Sequence, residues 1–515
     1  MMAVITAAAR VAGFVRTVVF AGTVGATVVG EAYQSTNTVP NVIFEVAAGG
    51  VLAAATVPLL AGRLGRGDRE GADAIASALL TRIVVVLVPL AVVIALAAPS
   101  IARALLGDAG AESVRLGARM LVVFAPQVVL YGAGIILSGV LQSHQRFAAV
   151  ALAPLLSSLV VIATYVAYGL MSGSGAISDA AIWVLAGGTT LGVAALSLPL
   201  IAPVRAAGVR LRPQWRFPEG VARRVLSLGG AGLLALAAQQ LAVLATVWLA
   251  NNRAPLGTIN VYQYVQAIYL LPYAVLAVPV ATAAFPVLAS NDGQGAAAAA
   301  TLARSGAAIV VLSGLSGAVL IAAAPDLGGV VGAFDRGRGG GGAASLATLP
   351  AALTAYAPGL VGLGLIGLFT RALYVRGRPS RAAGAAGAGW LLAAVVPVLV
   401  LTQGGDRGAL SVLGAASTAG MSLAALALSL LVRRTWGPAA VAGLLRSVAG
   451  ALACLLAGVG TRVLLPRMWA APGDQLVGSV VHGMVAAAVA ALLAGVLLRA
   501  TGAVGGRGLP VAGPR

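Results

Sequence analysis

Residues 8–58 read AARVAGFVRTVVFAGTVGATVVGEAYQSTNTVPNVIFEVAAGGVLAAATVP and contain the features that decide the fold. Arg10 and Arg16 lie inside an otherwise apolar segment that is long enough to form a membrane-spanning helix. The following segment carries four polar residues whose spacings of three, four and four place them on one helical face: Gln34, Asn37, Asn41 and Glu45. Polar groups at such a depth are costly and usually face a cavity or another helix. The stretch therefore predicts two helices beside a polar site within a membrane.

The composition places the whole chain in a membrane. Of its 515 residues, 60% are hydrophobic and only 9% are charged, whereas about a quarter of a soluble protein is charged. The net charge of +19 comes from arginines that lie between apolar runs, where they orient helices and meet anionic lipid headgroups, so we reject a nucleic-acid partner. Cys454 is the only cysteine, which excludes an intrachain disulfide.

The apolar runs predict an all-α integral membrane protein with about fourteen spanning helices. A β-barrel is excluded because the runs are long and lack strict alternation. The predicted helices are 4–28, 32–61, 74–99, 115–141, 147–171, 179–203, 222–250, 258–288, 298–323, 345–374, 381–402, 409–432, 440–464 and 475–499.

The connections between these helices alternate in their content of arginine. One set holds fifteen: Arg63, Arg66, Arg69, Arg146, Arg205, Arg210, Arg212, Arg216, Arg223, Arg224, Arg376, Arg378, Arg381, Arg433 and Arg434. The other set holds eight: Arg103, Arg115, Arg253, Arg336, Arg338, Arg407, Arg462 and Arg467. Because cytoplasmic loops carry the excess of basic residues, we expect the first set and both termini to be cytoplasmic.

Two halves of the chain share a pattern. Phe124-Ala125-Pro126 matches Tyr356-Ala357-Pro358, and Arg146 matches Arg378 at the same offset of 232 residues. This repeat predicts an N-lobe at 1–203, a basic cytoplasmic linker at 204–221 and a C-lobe at 222–435, followed by two helices and a short tail at 436–515. Parallel repeats of this kind are typical of transporters whose site lies between the lobes.

Arg10 and Arg16 are the first candidates for chemistry. A charge near the centre of a spanning helix costs about 2.5–3.5 kcal/mol on the insertion scale, so such a residue is expected to have a function. The planar guanidinium suits phosphate oxygens. The alternative for each is that the long side chain reaches the membrane surface, and this applies best to Arg10 near the helix start.

The second helix supplies further candidates. Glu31 lies at its non-cytoplasmic end, and Glu45 lies deeper, where it pairs with an arginine of the first helix or takes up a proton. The alternative is a hydrogen-bonded seam between helices. Pro40 predicts a kink and Gly49 a flexible or closely packed point, which together suggest a gate. In the eighth helix, neutral polar residues precede Pro272.

No motif for catalysis or metal binding is evident. The sequence contains no phosphate-binding Walker loop and no paired-carboxylate motif, and neither His144 nor His482 has a second ligand at a suitable spacing. The glycine run 339–342 predicts a flexible connector. We therefore expect no metal and no cofactor, and no enzymatic activity.

Several motifs along the chain resemble those of one known family. The first helix contains Ala9-Arg10, Gly13, Arg16 and Thr17, and the following elements are Glu31-Ala32-Tyr33, Pro40-Asn41, Thr56-Val57-Pro58, Arg146-Phe147 and Leu271-Pro272. These resemble the MurJ/MviN family of lipid II flippases in the MOP transporter superfamily. The segment Asn37–Asn41, followed by Glu45 and Gly49-Gly50, is similar to the actinobacterial branch.

The resemblance implies a two-lobe transporter that carries the undecaprenyl-pyrophosphate-linked peptidoglycan precursor, lipid II, between leaflets by alternating access. It assigns substrate binding to Arg10, Arg16, Asn37, Asn41 and Glu45, and gating or structural roles to Gly13, Glu31, Pro40, Gly49 and Pro272. Further basic residues of the family fall here on Phe44, Glu45 and Ala267, so part of its cationic cavity is absent. Helices 7, 11 and 12 also lack the carboxylates of a sodium site seen in some relatives.

We therefore expect a lipid II flippase of the bacterial plasma membrane, driven by the membrane potential or an ion gradient. Its expected partners are lipid II, anionic membrane lipids and cell-wall synthesis proteins. One alternative is an exporter of another polyprenyl-linked glycan or an amphipathic drug, and another is a non-transporting scaffold for cell-wall synthesis.

Overall fold

The computed structural model describes residues 2–49, 51–173, 178–215, 221–290, 295–403, 408–469 and 475–503. Within these ranges it describes no side chain for residues 2–4, 48, 49, 51–55, 221–232 and 475. The described residues are predominantly helical and contain no strand, so the predicted all-α class is confirmed.

The helices fall into two runs along the chain. The first run comprises α1 (Met2–Thr23), α2 (Val28–Gly49), α3 (Val51–Leu64), α4 (Arg69–Leu96), α5 (Ala98–Leu106), α6 (Ala111–Phe124), α7 (Gln127–Ser143), α8 (Phe147–Met171), α9 (Asp179–Ser197), α10 (Ile201–Ala206) and α11 (Val221–Asn252). The second run comprises α12 (Thr258–Pro272), α13 (Val278–Ala289), α14 (Ala296–Phe334), α15 (Ala343–Leu346), α16 (Leu349–Tyr356), α17 (Gly359–Val375), α18 (Pro379–Gln403), α19 (Ala409–Trp436), α20 (Leu444–Met468) and α21 (Gln475–Ala500).

Among the described residues, 12 helical segments are long and apolar enough to cross a membrane, or 13 when the bent pair Ala343–Tyr356 and Gly359–Val375 counts as one span. The chain is therefore a multi-pass membrane protein, and the count of fourteen stays a prediction. The span predicted at 32–61 corresponds to α2 and α3, between which residue 50 lies outside the described ranges.

Two compact units organise these helices. Unit 1 comprises residues Met1–Gln263 with Phe334–Leu346, and unit 2 comprises Tyr264–Ala333 with Ala347–Arg515. This division differs from the predicted boundary at 204–221, because α11 packs against α2, α3 and α5 within unit 1. The assignment of the lobes as functional parts stays a prediction.

The repeat is visible in local backbone structure. Each unit has a helix that breaks at an Ala-Pro step: Ala125 N–H donates to Leu121 O in unit 1, and Ala357 N–H donates to Leu353 O in unit 2, both at 2.9 Å. The turn after the next helix is repeated as well, since the N–H of Arg146 donates to Leu141 O (2.8 Å) and that of Arg378 donates to Leu373 O (2.9 Å). All these positions differ by 232 residues.

The first part of the basic linker runs alongside α4 and is hydrogen-bonded to it. Asp73, Ser77 and Thr81, each one helical turn apart, accept the backbone N–H groups of Arg210, Arg212 and Gln214 at 3.0–3.1 Å. Four residues of helix and two residues of extended chain have nearly the same length, about 6 Å, so the two segments stay in register.

The loop before α4 is held by Asp68. Its carboxylate caps the helix by accepting the N–H of Gly71 (2.8 Å), and it also accepts from Arg63 at 2.6 Å. The Arg63 guanidinium and this capping bond hold the pKa of Asp68 below its ordinary value, so the cap is charged at neutral pH.

In unit 2, α18 and α19 pack through glycines. A Cβ added to Gly389 would overlap the carbonyl oxygen of Gly420, and a Cβ added to Gly420 would overlap that of Gly389. Small residues at such crossings let membrane helices approach closely and gain van der Waals contact.

We predict that Gly389→Ala destabilises unit 2 by about 1–3 kcal/mol, because the added methyl group forces the two backbones apart. Thermal unfolding in detergent should then occur several degrees lower. The matched control is Gly384→Ala in the same helix, where an added Cβ meets nothing within 4 Å. Equal stability of the two variants would contradict close packing at Gly389.

Candidate functional site

The first site residues meet around Tyr131 of α7. Its hydroxyl donates to Asn41 Oδ1 of α2 at 2.9 Å, and its ring packs against that of Phe44 at a tilt of 36°, with centroids 4.5 Å apart. The charges of Arg16 on α1 and Glu45 on α2 both interact electrostatically with this phenol. The structure thus brings together three predicted site residues, Arg16, Asn41 and Glu45, within unit 1.

Arg16 is half-buried, and within the described part of the chain it has neither a hydrogen-bond nor an ion-pair partner. The expected ion pair between Glu45 and an arginine of the first helix is therefore absent from the described residues. The guanidinium keeps its donors available, and its charge also acts on the hydroxyls of Tyr33 and Tyr165. This arrangement can hold an anionic group.

A buried aromatic cluster lies toward the C-terminal end of α1. Tyr33 contacts Phe20 and Phe124 with ring centroids 5.5 and 5.6 Å apart, and its hydroxyl lies 2.8 Å from that of Tyr165 and 3.0 Å from Thr189 Oγ1. Edge and tilted contacts of this kind add to the stabilisation from burial. The cluster ties α1, α2, α6, α8 and α9 together on one side of Arg16.

The exposed fraction of the side chains changes along both helices: it falls from Arg10 to Phe20 in α1 and rises from Glu31 to Glu45 in α2. Arg10, near the predicted cytoplasmic end of its helix, and Glu45, predicted to lie deeper in the second span, are exposed, whereas Tyr33 and Glu31 are 2% and 1% exposed. Since α1 rises about 1.5 Å per residue, Phe20 lies only about 6 Å beyond Arg16. Within unit 1, the polar residues near Arg16 are therefore exposed toward Arg10 and Glu45 and buried toward Phe20 and Glu31.

Buried carboxylates complete the closed end. Glu31 accepts the N–H of Gly257 at 3.3 Å, and Asp335 accepts the N–H groups of Ala26 (3.0 Å) and Gly337 (2.7 Å). Asp335 is fully buried. A buried carboxylate is tolerated when such donors satisfy its oxygens, so these contacts hold the segment after α14 onto the end of α1.

Arg336 joins two helix ends at this position. Its guanidinium donates to Thr23 O at the end of α1 (2.7 Å), and to Ser172 O and Gly173 O (3.3 Å) after α8. The segment also packs tightly, because a Cβ on Gly337 or Gly342 would overlap the carbonyl oxygen of Ala26. In the run 339–342, predicted to be a flexible connector, Gly342 packs closely against Ala26, whereas nothing lies within 4 Å of a Cβ added to Gly339 or Gly340.

A sequence profile of the family described as "Lipid II flippase MurJ" matches residues 20–492. This range is most of the chain. The chain belongs to the MurJ lipid II flippase family. The MurJ match begins after Arg10 and Arg16, so the assignment of both depends on the first-helix motif, and that of Arg16 also on the geometry around Tyr131.

Curated relatives agree with the MurJ family. The chain is 27% identical over 295 residues to "Probable lipid II flippase MurJ" of Rhizobium tropici and 27% identical over 293 residues to that of Rhizobium meliloti (strain 1021). These alignments cover 56% and 55% of this chain, and the chain spans about half the length of these relatives, 54% and 53%.

Solved structures share the fold. "Lipid II flippase MurJ, inward closed conformation" matches with a TM-score of 0.73 at 17% identity, covering 97% of this chain and 99% of the other. An inward-facing "multidrug resistance MATE family transporter of the MOP superfamily" matches with a TM-score of 0.66 at 14% identity, covering 84% of this chain and 95% of the other. At these identities the likeness shows the fold alone.

The remaining predicted residues of this MurJ-family chain lie apart from Tyr131 or have local roles. Arg10 is exposed without a partner among the described residues, and nothing lies within 4 Å of a Cβ added to Gly13. Asn37 has a buried Oδ1 that no donor reaches in the described part of the chain. Pro40 is buried inside α2, which continues through it to Gly49, whose surroundings lie outside the described residues.

Pro272, the last predicted residue, precedes an irregular segment. It ends α12, and Tyr273–Ala277 form a turn of π-helix before α13 begins at Val278. Proline lacks an N–H group and interrupts the ladder of helical hydrogen bonds, which accounts for the change of helix type. Single π-helical turns occur frequently at functional sites.

Three polar features of the structure were not predicted from the sequence: Tyr131, Arg371 and the contact between His482 and Asp326. Tyr131 gave no signal, because a tyrosine in an apolar run is ordinary. Arg371 did give one, since it is an arginine inside α17, where it donates to Gly367 O at 2.6 Å. His482 pairs with both carboxylate oxygens of Asp326 at 2.9 Å across 156 residues, which no local pattern reveals. No group of three possible metal ligands occurs among the described residues.

We predict that Asp335→Ala strongly lowers the thermal stability of the purified protein in detergent. The change leaves the buried N–H groups of Ala26 and Gly337 without an acceptor, at a cost of about 1–3 kcal/mol for each. The control is Asp108→Ala, because that side chain is exposed and only its backbone N–H bonds to Asn252. A loss no larger than that of the control would contradict a closing role for Asp335.

Proposed function

We propose that this chain moves lipid II, a polyprenyl-diphosphate-linked peptidoglycan precursor, from the inner to the outer leaflet of the plasma membrane by alternating access. Membership of the MurJ family supports the substrate class. The observation that carries the proposal is Arg16, a half-buried guanidinium without an ion-pair partner among the described residues, in a site accessible from one end. The proposed activity is transport rather than catalysis.

The diphosphate is the chemical reason for this assignment. Moving two phosphates through a membrane requires fixed positive charge to replace lost water, and arginine binds phosphate oxygens with two parallel donors. Asn41 and Tyr131, beside Arg16, offer neutral hydrogen-bonding groups for the sugars or peptide. Arg10, exposed nearer the predicted cytoplasmic end, meets the diphosphate first.

Release on the other side requires the closed end to open. In this proposal, the contacts that must break are those of Asp335 and Arg336 with the ends of α1 and α8. Hydrogen bonds between a charged group and backbone atoms suit this purpose, since each is worth about 1.5–3 kcal/mol and water can replace it.

The orientation and driving force belong to the same proposal. The arginine distribution supports cytoplasmic termini, so the accessible end of the site faces the leaflet where the precursor is made. A negatively charged substrate and an arginine-lined site make transport sensitive to the membrane potential. Cell-wall synthesis proteins that use the product are the proposed partners, and nucleic acid is not.

We predict that Arg16→Ala abolishes rescue of a bacterium depleted of its own flippase, although the variant still inserts into the membrane. Arg16→Lys should retain part of the activity, because it keeps the charge but loses the planar fork. The measurement is the fraction of lipid II that an externally added degrading enzyme cleaves. Arg66→Ala, which removes an exposed loop arginine, is the control for net charge.

The wild-type result separates the alternatives. If the well-expressed wild-type chain leaves lipid II inaccessible, the flippase proposal fails and a scaffold in cell-wall synthesis is favoured. Full activity of Arg16→Ala would instead retain transport and show that Arg16 has only a structural role.

We further predict that lipid II exposure by this chain is unchanged when sodium is replaced by choline, and falls when an ionophore collapses the membrane potential. The reason is that the predicted helices 222–250, 381–402 and 409–432 contain no carboxylate to hold sodium. The same two treatments should be applied to cells that depend on their native flippase. A sodium requirement seen only with this chain would contradict potential-driven transport.

A further inference from the structure

The turn between α17 and α18 in unit 2 borders an open cavity of about 500 Å³. This volume falls within the range of about 300–1,000 Å³ that is common for ligand sites. Six consecutive residues line it: Arg376, Gly377, Arg378, Pro379, Ser380 and Arg381. Three guanidinium groups and one hydroxyl therefore share one space, and none of the lining residues is acidic.

One of these arginines is held rigidly by its neighbour. The guanidinium of Arg376 lies over the ring of Trp436, 4.0 Å from its centroid, and the indole N–H donates to Ala372 O at 3.2 Å. The Nε of Arg376 is buried and has no hydrogen-bond partner in the described residues. Stacking on Trp436 therefore fixes one cation at the wall of the cavity.

The other two arginines are not used by the fold. Arg378 and Arg381 are exposed, and neither side chain has a hydrogen-bond or ion-pair partner among the described residues. Holding like charges in one turn is unfavourable unless a ligand neutralises them.

The start of α18 adds backbone donors to the same cavity. The first hydrogen bond of the helix runs from the N–H of Ala382 to Arg378 O at 3.2 Å. Pro379 has no N–H, so the N–H groups of Ser380 and Arg381 have no acceptor within the helix. Such free N–H groups, together with the helix dipole, favour an anion.

The repeat shows that the turn itself does not require these residues. The equivalent turn in unit 1 has the same backbone bonding and a positive φ at Gln145 that matches Gly377. At that turn the residues matching Arg376, Ser380 and Arg381 are His144, Ala148 and Ala149. The one shared arginine, Arg146, donates to Ala206 O at 3.0 Å. The backbone turn itself therefore does not require the extra arginines of unit 2.

We propose that this cavity is a binding site for a phosphate group, supplied either by the headgroup of an anionic phospholipid or by a soluble phosphate. The loop lies on the face predicted to be cytoplasmic, so the lipid would come from the inner leaflet. Arg376 and the α18 N–H groups hold the phosphate, while Arg378 and Arg381 neutralise its charge. The site is separate from Arg16 and does not depend on the proposed transport of lipid II.

The test uses the full-length protein in detergent, titrated with phosphatidylglycerol while bound lipids are counted by native mass spectrometry. The double variant Arg378→Ala/Arg381→Ala should bind the tightest lipid at least about tenfold more weakly than wild type. The matched control is Arg210→Ala/Arg212→Ala, which removes two exposed arginines from the linker on the same predicted face. Only backbone atoms of that pair take part in the described hydrogen bonds.

Ser380→Asp provides a second variant if the double variant unfolds. A carboxylate at this position stabilises the start of α18 but repels phosphate, so lipid binding should fall while thermal stability is kept. Inorganic phosphate is added in a parallel titration: displacement of the lipid identifies soluble phosphate as a ligand, and retention identifies the headgroup. Unchanged binding in both variants, or an equal loss in the linker control, would overturn the proposal.

Discussion

An arginine without an ion-pair partner among its described neighbours, inside a membrane helix, is the constraint on which unit 1 depends. Arg16 is half-buried, and its charge acts on the hydroxyls of Tyr33, Tyr131 and Tyr165 without any acidic partner among the described residues. A carboxylate in contact would have lowered the cost of burial, but it would also have competed with an anionic substrate. The aromatic cluster on one side and exposed residues on the other then determine from which end an anion can reach the guanidinium.

Closure at the opposite end uses charge differently. Asp335 is fully buried and accepts backbone N–H groups, and Arg336 donates to three carbonyl oxygens. Backbone groups therefore satisfy both charges. The first N–H groups and the last carbonyl groups of a helix have no partner within that helix. One charged side chain can form hydrogen bonds with several of them. A closure built in this way is strong while dry and is weakened when water enters, which suits a transporter that must open on this side.

The internal repeat separates what the fold needs from what a site needs. The turns after α7 and α17 share their hydrogen bonds and a residue with positive φ, yet only the second carries three arginines around a cavity. Duplicated segments must keep the residues that form the backbone turn, whereas the side chains pointing away from it are free to differ. Comparing two copies within one chain therefore identifies the residues that the turn requires and leaves the others as candidates for binding.

The sequence by itself determined the membrane class, the helical architecture, the repeat and the candidates on the first two helices, because hydropathy, helical spacing and buried charge are local properties of a chain. Only the tertiary structure decided which candidates meet: Arg16, Asn41 and Glu45 gather around Tyr131, whereas Arg10 and Gly13 do not. It also showed that the segment after α14 is fixed at the end of α1, because Asp335 accepts the N–H of Ala26, which lies 309 residues away in the chain. Contacts between distant segments depend on how helices pack, and no local pattern records that packing.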